Sequence, residues 1–143
     1  MEGRQAVLEL LRAGRRPVHQ LWVAEGMRGP AATQVAQLAA AAGVAWRRVP
    51  RERLAAAART DAPQGMLARA APVVPVALAD LVASPGRPFL VVVDGVTDPR
   101  NLGAIMRSAL GAGATGMVVG RHRSAHLSAA AVKAAAGAVE HLP

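Results

Sequence analysis

The chain has 143 residues, enough for one domain with a core or for two small lobes. It has no cysteine, which excludes disulfides and thiolate metal sites, and no run long and apolar enough to span a bilayer. The net charge is +8, carried by 16 Arg and the single Lys133. Arg binds phosphate bidentately and a basic surface draws polyanions from a distance, so nucleic acid is the partner this charge favours. Coding bias in a chain rich in Ala, Gly, Arg and Pro is the plainer reading. Trp22, Trp46 and Phe89 are the only aromatics, too few for a single-strand stacking platform. A reducing cytoplasm fits the absence of cysteine.

Residues 4–13 carry Val7, Leu10 and Leu11 at helical spacing, with Gly14 suited to end the helix. "QLWVA" (20–24) reads as a strand. Pro30 can open the next helix, with Val35, Leu38 and Ala42 as its buried face and Gly43 as its end. "VAWRRV" (44–49) reads as a second strand, 51–58 as a short Ala-rich helix and "GMLARA" (65–70) as a third strand. This alternation predicts a small α/β lobe over residues 1–72. Residues 73–88 lie in the Pro-rich stretch "APVVPVALADLVASPGRP", which holds four prolines and reads as a linker with a short helix at 77–83. An ordinary loop within one domain is the alternative.

The second lobe spans 89–143. A strand at 89–93, a helix at 102–112 and a strand at "GMVVG" (116–120) make a β-α-β unit, hence parallel strands. A polar loop, "RHRSAH", leads to a helix at 127–136, and "AVEHLP" reads as the lead-in to another strand. Two strands are few for a parallel sheet, so this lobe is expected to be incomplete.

The corner "DGVTDPRNLGAIMRSA" (94–109) lies where ligands of open α/β sheets bind, outside the carboxyl end of a strand. Asn101 is placed as N-cap. Leu102, Ile105, Met106, Ala109 and Leu110 form the core stripe, and Arg107 falls about 140° from Leu102. Gly103, four residues before Arg107, leaves room for its side chain to lie back over the first turn. Free N–H groups and the helix dipole would make that turn a phosphate site. The bland reading stays open: Asn101 only a cap, Arg107 only a solvated charge, Asp94 and Asp98 only turn formers or partners of Arg100. His19, His122, His126 and His141 have no metal-ligand spacing, and no metal site is expected.

"VVVDGVTDPRNLGAIMRSALGAGATGMVV" resembles the first motif of the SpoU/TrmH branch of the SPOUT RNA methyltransferases, and "VKAAAGAVEHLP" is similar to the segment that follows it. "GRQAVLELLRAGRRPVHQLWVAEG" and "APQGMLA" resemble the amino-terminal RNA-binding domain of the ribosomal RNA ribose methyltransferases of that branch. The resemblance implies a ribosomal-protein-like α/β RNA-binding lobe, then the first part of a parallel-sheet SPOUT domain with a trefoil knot. It implies methyl transfer from S-adenosylmethionine to a ribose 2′-hydroxyl of structured RNA, ribosomal RNA above all, by a homodimer whose active site lies at the subunit interface. The functional Asn and Arg of the motif match Asn101 and Arg107. An Arg has been proposed as the base in this family, but guanidinium stays protonated, so Arg107 is better read as fixing phosphate and stabilising charge on the 2′-oxygen.

Contacts to RNA are expected from Arg4, Arg15, Arg16, Gln64 and Arg100. Residues 1–88 hold 12 Arg and 6 acidic residues, a net of +6, and residues 89–143 hold 5 basic and 3 acidic residues, a net of +2, so the first lobe should carry most of the RNA affinity. Two departures weaken single roles: Pro63 stands before Gln64 where the family often has His, and Ala135 stands where it often has Ser. The family's cofactor-loop motifs are expected beyond residue 143, so no cofactor-binding residue is named. A non-catalytic RNA-binding module and a fragment with no function of its own are the competing readings.

Overall fold

The computed structural model describes residues 1–83 and 85–143. They form two compact units, Met1–Pro72 and Val73–Pro143.

In the first unit, α1 (Arg4–Ala13) buries Val7, Leu10 and Leu11 and stops at Gly14, whose φ of 57° suits a residue without Cβ. Then follow β1 (Val18–Ala24), α2 (Pro30–Ala41), β2 (Trp46–Val49), α3 (Arg51–Ala57) and β3 (Met66–Ala70). The sheet order is β2-β1-β3, with β2 parallel and β3 antiparallel to β1. β1 begins two residues before the expected start, and β2 two residues after. Leu21, Val23, Met66 and Ala68 point to one face and pack with Val7, Leu10, Val35 and Ala39 of α1 and α2. Ala24, Val49 and Leu67 point to the other, where Leu54 of α3 covers them. Ala42 is exposed rather than on the buried face of α2, because the helix ends at Ala41 and Ala39 takes the inner position.

Glu2 ties the start of the chain to this sheet. It bridges Leu67, and its buried carboxylate accepts from the Arg59 N–H and the Thr60 hydroxyl. A buried carboxylate persists when donors of this kind satisfy it.

In the second unit, the stretch expected as a linker contains α4 (Leu78–Ala83), whose Leu81 is buried. A Cβ on Gly116 would meet Leu81 Cδ2 at 3.1 Å, so α4 packs closely on the sheet of this unit. The sheet pairs β4 (Leu90–Val93) and β5 (Gly116–Val119) in parallel, joined by α5 (Pro99–Gly111). α6 (Ala129–Ala134) is shorter than the expected 127–136. Ser128 caps its start, and Ala136 and Gly137 take φ of 50° and 97° after it. "AVEHLP" opens with a 3₁₀ turn, Ala138–Glu140, and the Pro143 carbonyl then accepts from Met117 N–H of β5 at 2.8 Å.

Candidate functional site

The corner after β4 differs from its expected form at the helix start. α5 begins at Pro99, not 102, and its N-cap is Asp98, not Asn101. Pro loses nothing at N1, where its missing N–H would have had no helical partner, and its fixed φ suits the first turn. Asp98 Oδ1 accepts from Arg100 N at 2.6 Å and Asn101 N at 3.3 Å, and the Asp98 carbonyl accepts from Leu102 N at 3.0 Å. No N–H of that turn is left for an outside anion, and a carboxylate already answers the dipole. The expected backbone phosphate site is therefore filled by Asp98 itself. The pair "DP" carried the signal: Asp before Pro is an N-cap followed by N1.

Gly103 has a different use from the one expected. A Cβ there would lie 2.3 Å from the Ala131 carbonyl oxygen and 2.7 Å from Ala134 Cβ. Its missing side chain lets α6 approach α5, rather than clearing a path for Arg107. Of the predicted apolar stripe, Leu102, Met106 and Ala109 are buried, and Ile105 and Leu110 are half-buried.

Asn101, Arg100 and Arg107 are all exposed, and among the described residues their side chains have no hydrogen bond or ion pair. Arg107 is six residues past Asn101, about 120° away, whereas Arg100 and Arg107 are seven apart and share one stripe of the helix. Two uncommitted guanidinium groups thus stand on one face of α5, about 10 Å apart along a helix that starts at the carboxyl end of β4. The loops beyond both strands are joined there, with Ala125 N–H donating to the Val96 carbonyl at 2.7 Å.

The first unit holds the other expected residues, and it separates them. Arg4 and Gln64 meet: Gln64 Oε1 accepts from Arg4 N at 3.0 Å and so caps α1, whose own N-cap Gly3 has no side chain to do it. Gln64 reaches this position from a turn closed by Met66 N–H on the Pro63 carbonyl, with φ of 52° at Gln64 and 75° at Gly65. Arg15 and Arg16 follow the other end of α1, about 15 Å away along a ten-residue helix. The Arg16 guanidinium donates to the Ala71 carbonyl, so it fastens the end of β3.

Arg4 and Gln64 line a cleft of about 840 Å³, together with Arg28 and Arg51, which the sequence reading missed. Arg28 follows β1 and Arg51 follows β2. Ligands of open α/β sheets bind beyond the carboxyl ends of parallel strands, and in the first unit that rule points to these two. Arg48 donates to the Met27 carbonyl at 3.3 Å and holds the loop that carries Arg28.

The family of the RNA 2′-O ribose methyltransferase substrate-binding domain matches residues 1–75, and the SpoU rRNA methylase family matches residues 88–143. The chain belongs to the SpoU/TrmH branch of the RNA methyltransferases. Its relatives agree with this SpoU assignment. YacO of Bacillus subtilis, named as a TrmH family tRNA/rRNA methyltransferase, is 37% identical over 145 residues, covering 99% of this chain and 57% of YacO. The 23S rRNA (guanosine-2′-O-)-methyltransferase RlmB of Escherichia coli K12 is 54% identical over 66 residues, covering 46% of this chain and 27% of RlmB. The AdoMet-bound rRNA methyltransferase of Sinorhizobium meliloti superposes with a TM-score of 0.75 at 28% identity, covering all of this chain and 51% of that one. The chain thus spans about half the length of the SpoU relatives that it matches from end to end.

Proposed function

We propose that this chain supplies the RNA-binding unit and the first reaction elements of an S-adenosylmethionine-dependent ribose 2′-O-methyltransferase acting on ribosomal RNA in the cytoplasm. Residues 1–72 bind the RNA, and residues 89–143 belong to the methyl-transferring domain, which works as a homodimer. The observation that carries this reading is Arg107, exposed and uncommitted on the helix that follows β4, in a chain that joins a SpoU substrate-binding segment to a SpoU methylase segment. None of the described residues is assigned to the methyl donor.

The chemistry of this chain lies on the RNA side. A ribose 2′-hydroxyl is a weak nucleophile, and it gains from being held in place while negative charge builds on its oxygen. Arg107 stays protonated and can grip the adjoining phosphate bidentately while stabilising that charge. Arg100, on the same stripe, would contact a further phosphate of the backbone. Asn101 can donate and accept at the ribose through its amide.

The test is transfer of tritiated methyl groups to ribosomal RNA by the whole enzyme carrying Arg107→Ala, measured beside a thermal melt. Activity should be lost with the melt unchanged, and Arg107→Lys should restore little, since an ammonium has no planar fork. Near-normal transfer by Arg107→Ala would remove Arg107 from the reaction.

A further inference from the structure

The cleft of the first unit has properties that its role in the fold does not require. It opens where the chain leaves β1 and β2 and enters β3, and its volume of about 840 Å³ lies in the range of small-molecule sites. Arg4, Arg28 and Arg51 line it, and no Asp or Glu does. All three are exposed, and none has a side-chain ion pair or hydrogen bond among the described residues. Three like charges around one concavity repel one another, and an anion between them relieves this.

The remaining walls fit a base. Met27, half-buried, and Ala55, exposed, give the cleft its apolar surface, over the buried Leu54. A thioether is polarisable and adapts to flat aromatic surfaces. Gly65 brings backbone to the rim: a Cβ there would lie 2.5 Å from Met27 Cε, so any side chain at 65 would displace Met27. Gln64 has spent its oxygen on Arg4 N, which leaves its amide NH₂ as a pair of donors.

A cleft of this size does not admit a duplex. Double-stranded RNA is read across its minor groove by shape, whereas unpaired loops and bulges present splayed bases and bare phosphates to pockets. Guanidinium groups serve both parts, by forked bonds to phosphate and by stacking on bases.

We propose that this cleft captures one unpaired nucleotide of the substrate RNA, with Arg4, Arg28 and Arg51 on its phosphates and Met27 against its base. It thereby selects RNAs with a looped-out or single-stranded nucleotide. This rests on the reading of the protein as an RNA methyltransferase and adds a specificity site in the first unit.

The test uses the whole chain and two fluorescent RNA probes of equal length, a hairpin with an unpaired loop and a blunt duplex. Fluorescence anisotropy is recorded over a salt series. Wild-type protein should prefer the hairpin. Arg28→Ala/Arg51→Ala should weaken hairpin binding by about tenfold or more, and should flatten the dependence of log affinity on log salt by about two units. Arg121→Ala/Arg123→Ala removes the same charge from the loop after β5 and should change hairpin binding far less. Arg28→Lys/Arg51→Lys should keep the salt slope but lose part of the preference for the hairpin. Melts should be unchanged in all three, since these side chains are exposed. Equal weakening by the two alanine pairs, or unchanged binding by Arg28→Ala/Arg51→Ala, would overturn the cleft assignment and leave the methyltransferase reading intact. A wild-type protein that binds neither probe would overturn both.

Discussion

The two units start their helices in opposite ways. In the second, α5 and α6 are capped locally, by Asp98 and Ser128 at their own N-caps. In the first, the N-caps of α1, α2 and α3 are Gly3, Gly29 and Pro50, and none offers a capping side chain. Among the described residues only α1 is capped by a side chain from elsewhere, that of Gln64. The apolar surface divides the other way. Among the described residues every large exposed hydrophobic lies in the second unit, with Val74 at 80% and Val92 at 72% exposure. The first unit therefore closes its core and gathers three free guanidiniums and a glutamine amide around a cleft. The second has the starts of α5 and α6 capped by their own N-cap side chains and leaves large apolar residues exposed. At the start of α5 anion binding must come from side chains such as Arg100 and Arg107, because Asp98 takes the N–H groups of that turn.

The comparison can be tested by substitution. The largest effect should come from the cores. Leu102→Ala and Leu10→Ala each remove a side chain 1% or less exposed and should cost about 2–5 kcal/mol in denaturant unfolding. If the two units unfold separately, each substitution will shift its own transition. A single shared transition moved equally by both would show that the units are coupled in stability.

Gly103→Ala should come next. The added methyl meets backbone at 2.3 Å and must part α5 from α6, at a cost of about 1–3 kcal/mol. An unchanged unfolding midpoint would mean that the two helices yield more easily than their contact suggests.

The caps follow. Asp98→Ala should cost about 1 kcal/mol in the second unit, and Gln64→Ala about as much in the first, though it caps across 60 residues of sequence. Gln64→Gly removes the same cap but relieves the positive φ at 64, so it should cost less than Gln64→Ala. Equal losses for the two Gln64 variants would show that the turn stores no strain.

The smallest effect should be that of Arg107→Ala, below about 0.5 kcal/mol, since its side chain is exposed and unpaired. A larger loss would return Arg107 to a structural role.

Most elements were legible because their signals are local. Apolar spacing marked α1 and α5, and Gly14 marked a helix end. The departures have two causes. An Asn before an apolar stripe points to Asn101 as the cap, yet Asp98 with Pro99 is the stronger pair three residues earlier, and that signal is local. The other two are long-range: Gly103 makes its contact with α6, which no local pattern reveals, and Leu81, amid prolines that suggest a linker, packs against Gly116, 35 residues on.

The sequence by itself determined the alternation of helices and strands, the apolar stripe of α5, the basic charge and the motif that places Asn101 and Arg107 in the SpoU family. Each depends on residues within a few turns of one another or on composition. The tertiary structure decided which charges act together. Arg4, Arg28, Arg51 and Gln64 come from four separate segments, and they meet only because the sheet sets the ends of β1 and β2 beside the start of β3. It also decided which polar groups were already spent: the first turn of α5 on Asp98, Arg16 on Ala71 and Glu2 on residues 59 and 60. A hydrogen bond needs its partner at about 3 Å, and spacing along a chain does not determine distance across a fold.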